Sequence, residues 1–128
     1  MRLLLDTHAV IWWFQGNLRL SRQAREAIGR DDSAVFVSAV SAFEIALKHH
    51  IGKLPEASRL VDDFDAMLAE QGFEPLAVSL RHALSAGRLP IAHRDPFDRL
   101  LIAQALTEDL TLVSNERVFD AAGVVRLW

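Results

Sequence analysis

Acidic side chains stand at four places where an apolar stretch meets a helix signal. They are Asp6 in Leu5-Asp6-Thr7, Glu44 in Phe43-Glu44-Ile45, the pair Asp95 and Asp98 in Asp95-Pro96-Phe97-Asp98, and Glu116 in Ser114-Asn115-Glu116. Asp6 and Glu116 fall just past runs that read as strands. Glu44 and Asp98 fall in the expected first turns of helices. In a parallel α/β fold all four places lie at one edge, the carboxyl end of the sheet, where such folds put their ligands. Carboxylates gathered there repel one another unless they share a cation. The expectation is a divalent-metal site, with hydrolysis of a phosphodiester as its natural use. Such an ion lowers the pKa of its water and offsets charge developing on phosphoryl oxygens. Mg²⁺ keeps several waters and takes only one or two carboxylates directly, so Asp6 and Asp98 are the expected direct ligands. Glu44 and Glu116 are expected to act through water, to orient the nucleophile or to support a second ion. Helix N-termini at this edge add partial positive charge that favours a phosphate beside the metal.

Each acid also has a structural role open to it. Asp6 can cap the helix that follows, Ser41-x-x-Glu44 has the pattern of a capping box, and Glu116 can be a solvated charge. Asp95-Pro96-Phe97-Asp98 is a good helix start, with Asp at the cap, Pro at the first position and Asp at the third. What favours chemistry is that the four places fall on four different strand–helix units yet share one edge. Around them, Thr7 and Ser114 can hydrogen-bond the carboxylates and fix their rotamers. Arg94 and Arg99 flank Asp98 and can hold substrate phosphates, with a salt bridge to a nearby acid as the competing role for Arg99. His93 is near the acids and suits a structural hydrogen bond or a substrate contact. None of the five histidines has the spacing of a zinc helix.

The elements that must position these groups alternate. Residues 2–5 and 34–38 read as short buried strands, and 110–114 and 124–127 as two more. Residues 73–78 form a possible strand in which Pro75 points to an edge. Helices are expected from about Asp6 or Thr7 to the Gly16-Asn17 break, from Ser21 to near Gly29, and from about Ser41 to Ile51 before Gly52. Others are expected from Ser58 to Gly72, over about 80–86, from Asp95 to about Glu108, and briefly around Val118 and Phe119. The strands are continuous apolar runs, as strands covered on both faces are. The fold class is therefore α/β, a three-layer sandwich with a mainly parallel central sheet flanked by helices, in a single domain over residues 1–128. Trp12, Trp13 and Phe14 are consecutive on the first helix and cannot all face one core, so one side is expected to serve an interface.

Composition excludes several classes. A chain of 128 residues, 51% hydrophobic and 24% charged, has the make-up of a globular domain. It has no cysteine, hence no disulfide and no thiolate metal site, which suits a reducing cytoplasm. The short N-terminal Leu run ending at Asp6 does not look like a signal peptide. No apolar run approaches the ~18 residues of a membrane span. The net charge of −3 supplies no general field for nucleic acid, so a nucleic-acid partner needs a local basic patch and bound metal. Twelve of the fourteen cations are Arg; the only lysines are Lys48 and Lys53.

These residues resemble the PIN domain, and within it the VapC-type toxins of bacterial toxin–antitoxin pairs. The likeness covers nearly the whole chain. It is carried by Leu5-Asp6-Thr7-His8 with Ile11-Trp12-Trp13, by Val37-Ser38-Ala39-Val40-Ser41 with Phe43-Glu44-Ile45, and by Gly52-Lys53-Leu54. It continues in His93-Arg94-Asp95-Pro96-Phe97-Asp98-Arg99-Leu100-Leu101-Ile102-Ala103, its most specific part, and in Leu112-Val113-Ser114. The resemblance implies a small Mg²⁺- or Mn²⁺-dependent endoribonuclease, usually a homodimer. It also implies a VapB-like antitoxin whose tail occupies the active-site groove. The family's acids carry over to Asp6, Glu44 and Asp98. Its fourth acid is usually Asp in a Thr-x-Asp pattern; here the pattern is Ser114-Asn115-Glu116, one methylene longer, which fits a water-mediated role. Asp95 is an extra acid typical of the subgroup.

Other classes compete. A catalytically weak PIN domain that works mainly by binding its antitoxin is kept open by Glu116. A phosphoacceptor receiver domain has a similar length and sheet but needs a Lys after a late strand, and none follows Lys53. A haloacid-dehalogenase-like phosphatase needs Asp-x-Asp after the first strand, which Asp6-Thr7-His8 does not supply.

Overall fold

The computed structural model describes residues 1–128. Its centre is β1 (Arg2–Leu5), whose three leucines are inaccessible to solvent. Strand neighbours cover both edges of β1, and the two faces of its pleat feed two different cores. Leu3 and Leu5 point into one, with Val10, Ile28, Val37, Ile45 and Leu68. Leu4 points into the other, with Leu101, Ile102, Leu112 and Phe119. An unbroken apolar run is what such a strand requires, because a polar residue on either face would be buried without a partner.

Around β1 the sheet has the order β3-β2-β1-β4-β5, and every pairing is parallel. Here β2 is Ala34–Ser38, β3 Glu74–Leu76, β4 Thr111–Val113 and β5 Arg126–Leu127. The chain moves outward from β1 through β2 to β3, then returns to the other side of β1 with β4. The strand order therefore reverses between β1 and β4. β3 is an edge strand, which is where Pro75 can sit without breaking an interior ladder.

The helices are α1 (Thr7–Gln15), α2 (Arg22–Gly29), α3 (Ala39–His50), α4 (Ser58–Asp62), α5 (Phe64–Glu70), α6 (Leu80–Arg88) and α7 (Pro96–Thr107). A 3₁₀ turn, Pro55–Ala57, precedes α4, and another, Arg117–Ala122, precedes β5. The layers are those expected, but three local readings change. α3 starts two residues before Ser41, because Ser38 caps it by accepting from the Val40 N–H (3.0 Å). There is thus no Ser41–Glu44 capping box, and Glu44 lies in the second turn. The helix expected from Ser58 to Gly72 is broken at Asp63, whose backbone is not helical (φ −122°, ψ 37°). Asp62-Asp63 is a poor helix interior, and the break lets both Leu60 and Leu68 bury. Finally, Trp12, Trp13 and Phe14 each find an intrachain partner. Trp12 leans on Trp128 and His8, while Trp13 and Phe14 flank Phe73, with ring centroids 5.3–6.2 Å apart across the four pairs.

Leu4 tests the two-faced role of β1. Leu4→Ala is expected to cost about 2–5 kcal/mol, the range for a large-to-small change in a close-packed core. The measurement is urea unfolding; a loss below ~1 kcal/mol would mean that the second core does not depend on β1.

Candidate active site

Asp6 follows β1 and Ser114 follows β4, so the reversal of strand order falls between them. That is the crevice where an open parallel sheet offers backbone ends and helix N-termini to a ligand. Asp6 is only 4% exposed. It caps α1 by accepting from the Ala9 N–H (2.8 Å), while its own N–H donates to the Val113 carbonyl (3.0 Å). One residue thus closes the gap between the two central strands and starts a helix.

The other acids reach the same place from separate elements. Asp6, Glu44, Asp95, Asp98 and Glu116 line one cleft of about 360 Å³, with Thr7, His8, Lys48, Phe97 and Leu101. No three of the acids and histidines close on a single point as a complete cage. The donor set is nonetheless all oxygen, and a hard cation that retains its waters needs only one or two carboxylates directly. Asp6 and Asp98 fit that requirement, with Glu44 and Glu116 on the walls.

Each carboxylate is held. The Thr7 hydroxyl donates to Glu44 Oε1 (2.7 Å) and lies 3.1 Å from the buried Ser41 hydroxyl. His93 Nε2 meets Asp98 Oδ2 at 2.7 Å. Asp95 accepts from the N–H groups of Phe97 (2.9 Å) and Asp98 (3.3 Å), so it caps α7 as well as lining the cleft. Ser114 Oγ accepts from the Glu116 N–H (3.0 Å), shaping the turn that presents Glu116.

Arg99 behaves differently from either expectation. It does not line the acidic cleft and pairs with no acid. Its guanidinium donates to five carbonyls, those of Ala86, Gly87, Leu89, Ile91 and His93. A planar five-donor fork suits a looping backbone as well as it suits phosphate. The effect is to fix the segment that carries His93, and through His93 the carboxylate of Asp98. Arg94 is exposed and makes no hydrogen bond or ion pair, so it is free to meet a ligand. His8 and Lys48 are cleft residues that the sequence reading did not assign. Their signals were His8 two places after Asp6, and Lys48 four places after Glu44 on the same helix face.

Burial pushes the Asp6 carboxyl up to about 6, against the lowering effect of the Ser114 hydroxyl and the Ala9 N–H and with the help of the charges on Glu116 and Asp98. Asp98 is also raised, first by burial; its bond to His93 works against this, and the charges of Asp95 and Glu116 add to it. Burial dominates both shifts, and the neighbouring acids add to it.

An open parallel sheet with an acidic crevice at its switch point defines a class of small α/β proteins. The family within that class is identified by a match of residues 3–125 to the PIN domain: the chain belongs to the PIN domain family. This removes the receiver-domain and phosphatase readings. Direct comparison with curated protein sequences gives no match. Among solved structures the chain is similar to VapBC2 from Rickettsia felis bound to a DNA fragment from their promoter (17% identity, TM-score 0.74, covering 99% of this chain and 98% of the other). It is similar to VapBC-1 from nontypeable Haemophilus influenzae (15%, TM-score 0.69, 99% and 97%). It is also similar to a toxin–antitoxin complex from Klebsiella pneumoniae (21%, TM-score 0.65, 96% and 95%). No helix is long and apolar enough to cross a membrane.

The raised Asp6 pKa has a consequence for stability. The folded state keeps this proton up to about pH 6, whereas an unfolded Asp loses it near 3.8. The contribution of this group to stability is therefore greatest below 3.8 and falls as pH rises to about 6, by up to ~3 kcal/mol. Asp6→Asn keeps a capping side chain and removes the charge. In EDTA at pH 7.5 it is expected to melt higher than the wild type by ~1–3 kcal/mol of stability, with the difference closing near pH 4. An equal or lower melting temperature for the variant at pH 7.5 would contradict the burial argument.

Proposed function

We propose that this PIN domain is a metal-dependent endoribonuclease and the toxin of a type II toxin–antitoxin pair. The observation that carries the reading is the convergence of Asp6, Glu44, Asp98 and Glu116 on one cleft, with no cationic side chain ion-paired to any of them except His93 beside Asp98 when that ring is protonated. Such a cluster is self-repelling by itself and is relieved by a bound divalent ion. Mg²⁺, or Mn²⁺ in its place, would supply activation of the attacking water and neutralisation of charge on the phosphoryl oxygens.

The chain's own residues do the rest. Asp6, at the end of β1, and Asp98, in the first turn of α7, would hold the cation. Thr7 keeps Glu44 turned into the cleft, and His93 keeps Asp98 there. Glu116, one methylene longer than Asp, lines the cleft from the turn after β4 and would orient water. Arg94, exposed and without an ion pair next to His93, would meet substrate phosphate. The toxin reading is supported by the solved structures named above, which are toxin–antitoxin complexes over nearly the full length of both chains. On this reading the chain works in the cytoplasm as a homodimer and is silenced by a VapB-like antitoxin.

The test is cleavage of total cellular RNA by the antitoxin-free protein in Mg²⁺, in Mn²⁺ and in EDTA. Discrete fragments that require metal are expected. Asp6→Asn and Asp98→Asn should each lower cleavage by at least ~100-fold, the scale of losing one charge-stabilising group. Mg²⁺ should raise the melting temperature of the wild type and leave both variants unmoved. Undiminished cleavage by either variant, or a folded wild type that cuts nothing, would refute the assignment.

A further inference from the structure

The acidic cleft continues into a second one. His8 and Lys48 line both, and the second cleft, about 580 Å³, runs between α1 with its following loop and the end of α3 with the loop after it. Its charge is opposite to that of the first. Arg19, Lys48 and Lys53 line it, against a single acid, Glu56, whose carboxylate accepts from the Gln15 amide (3.3 Å). None of the three cations is ion-paired. Both of the chain's lysines are here, in a protein whose net charge is −3. Where the two clefts meet, His8 and Trp12 are stacked, with ring centroids 5.3 Å apart and planes at 24°. The neighbouring hollow between α1 and α4 is mainly apolar, lined by Ile11, Phe14, Ala57, Leu60 and Met67 with Gln15, Glu56 and Arg59, and shares no residue with the acidic cleft.

We infer that this second cleft carries the backbone of a single-stranded RNA to the acids. Phosphates flanking the cut bond lie on Lys48, Lys53 and Arg19, and a base lies against the His8–Trp12 stack. The inference rests on the nuclease reading above and adds to it the path of the substrate. Unpaired cations along a groove with an aromatic platform are the elements that hold a single strand without reading its sequence. The order of charges gives the path its direction. The carboxylates repel a phosphate chain everywhere except where a cation is shared, and the adjoining cations draw in the phosphates next to it.

The experiment measures binding of a fluorescein-labelled single-stranded RNA of about 12 nucleotides, mixed A and U, by the uncut background Asp6→Asn. Binding is followed by anisotropy over a series of salt concentrations. Adding Arg19→Gln, Lys48→Gln and Lys53→Gln together is expected to weaken binding at least tenfold at low salt. It should also reduce the slope of log K against log salt by about 2, since each phosphate contact on a single strand contributes about 0.7. The double change at the fully surface-placed Arg19 and Lys53 should reduce it by about 1.4. Arg81→Gln with Arg88→Gln on α6 is the control and should leave the slope unchanged. A thermal melt confirms that each variant is folded.

An unchanged slope and affinity in the triple variant, beside a wild type that cleaves cellular RNA, overturns the path alone. A wild type that neither cleaves RNA nor binds the oligonucleotide overturns both readings. A triple variant that keeps its RNA affinity but no longer holds a co-expressed antitoxin overturns the path in favour of a protein-docking surface.

Discussion

The structure depends on a buried carboxylate at the end of its central strand. From Leu3 to Leu5, β1 has no solvent-facing side, so the residue that follows it emerges inside the protein. Asp6 is that residue, and it is excluded from water almost completely. Burial favours its neutral form, and nearby acids push the same way. Only the Ala9 N–H and the Ser114 hydroxyl offset this. The fold thus holds a group whose ionisation opposes folding, at the point where strand order reverses. That is the expected signature of a site built for a ligand at the expense of the empty protein's stability.

The side chains around this group serve position more than charge. Thr7 follows Asp6 directly and fastens Glu44, which belongs to a different strand–helix unit. His93 fastens Asp98, and the segment bearing His93 is held in turn by the Arg99 fork on five carbonyls. Arg99 is adjacent to Asp98 in sequence, so α7 supplies both the carboxylate and the device that orders its partner. These bonds narrow the rotamers of acids that would otherwise spread apart by repulsion. The cost of ordering them is met by folding and is not paid again when a ligand arrives.

The surface divides by charge and polarity into regions with different uses. The acids occupy the switch-point cleft, unpaired cations occupy the adjoining one, and the hollow between α1 and α4 is mainly apolar. Helix α1 borders all three. Asp6 caps it, His8 and Trp12 form its wall at the junction, and Ile11 and Phe14 face the apolar side. Its aromatic run, which by itself suggests an outward face, is mostly taken up by Phe73 and Trp128. One short helix can border three environments because its side chains point around it in steps of about 100°.

By itself the sequence determined the layers, the parallel sheet and the sheet edge on which the acids lie. Each of these follows from local patterns: unbroken apolar runs for two-faced strands, and caps and glycines at helix ends. It also determined Asp95 as the cap of α7 and Pro75 as an edge residue. Tertiary structure decided the rest. It moved the start of α3 to Ala39, capped by Ser38. It broke the 58–72 segment at Asp63, turned Arg99 to backbone carbonyls instead of phosphate, and joined His93 to Asp98 and Thr7 to Glu44. It also placed Lys48 and Lys53 in one cleft with Arg19. The reason is one of range. Periodicity and capping act over a few residues along the chain, whereas a site assembled from Asp6, Glu44, Asp98 and Glu116 depends on strand order and helix rotation, which only packing sets.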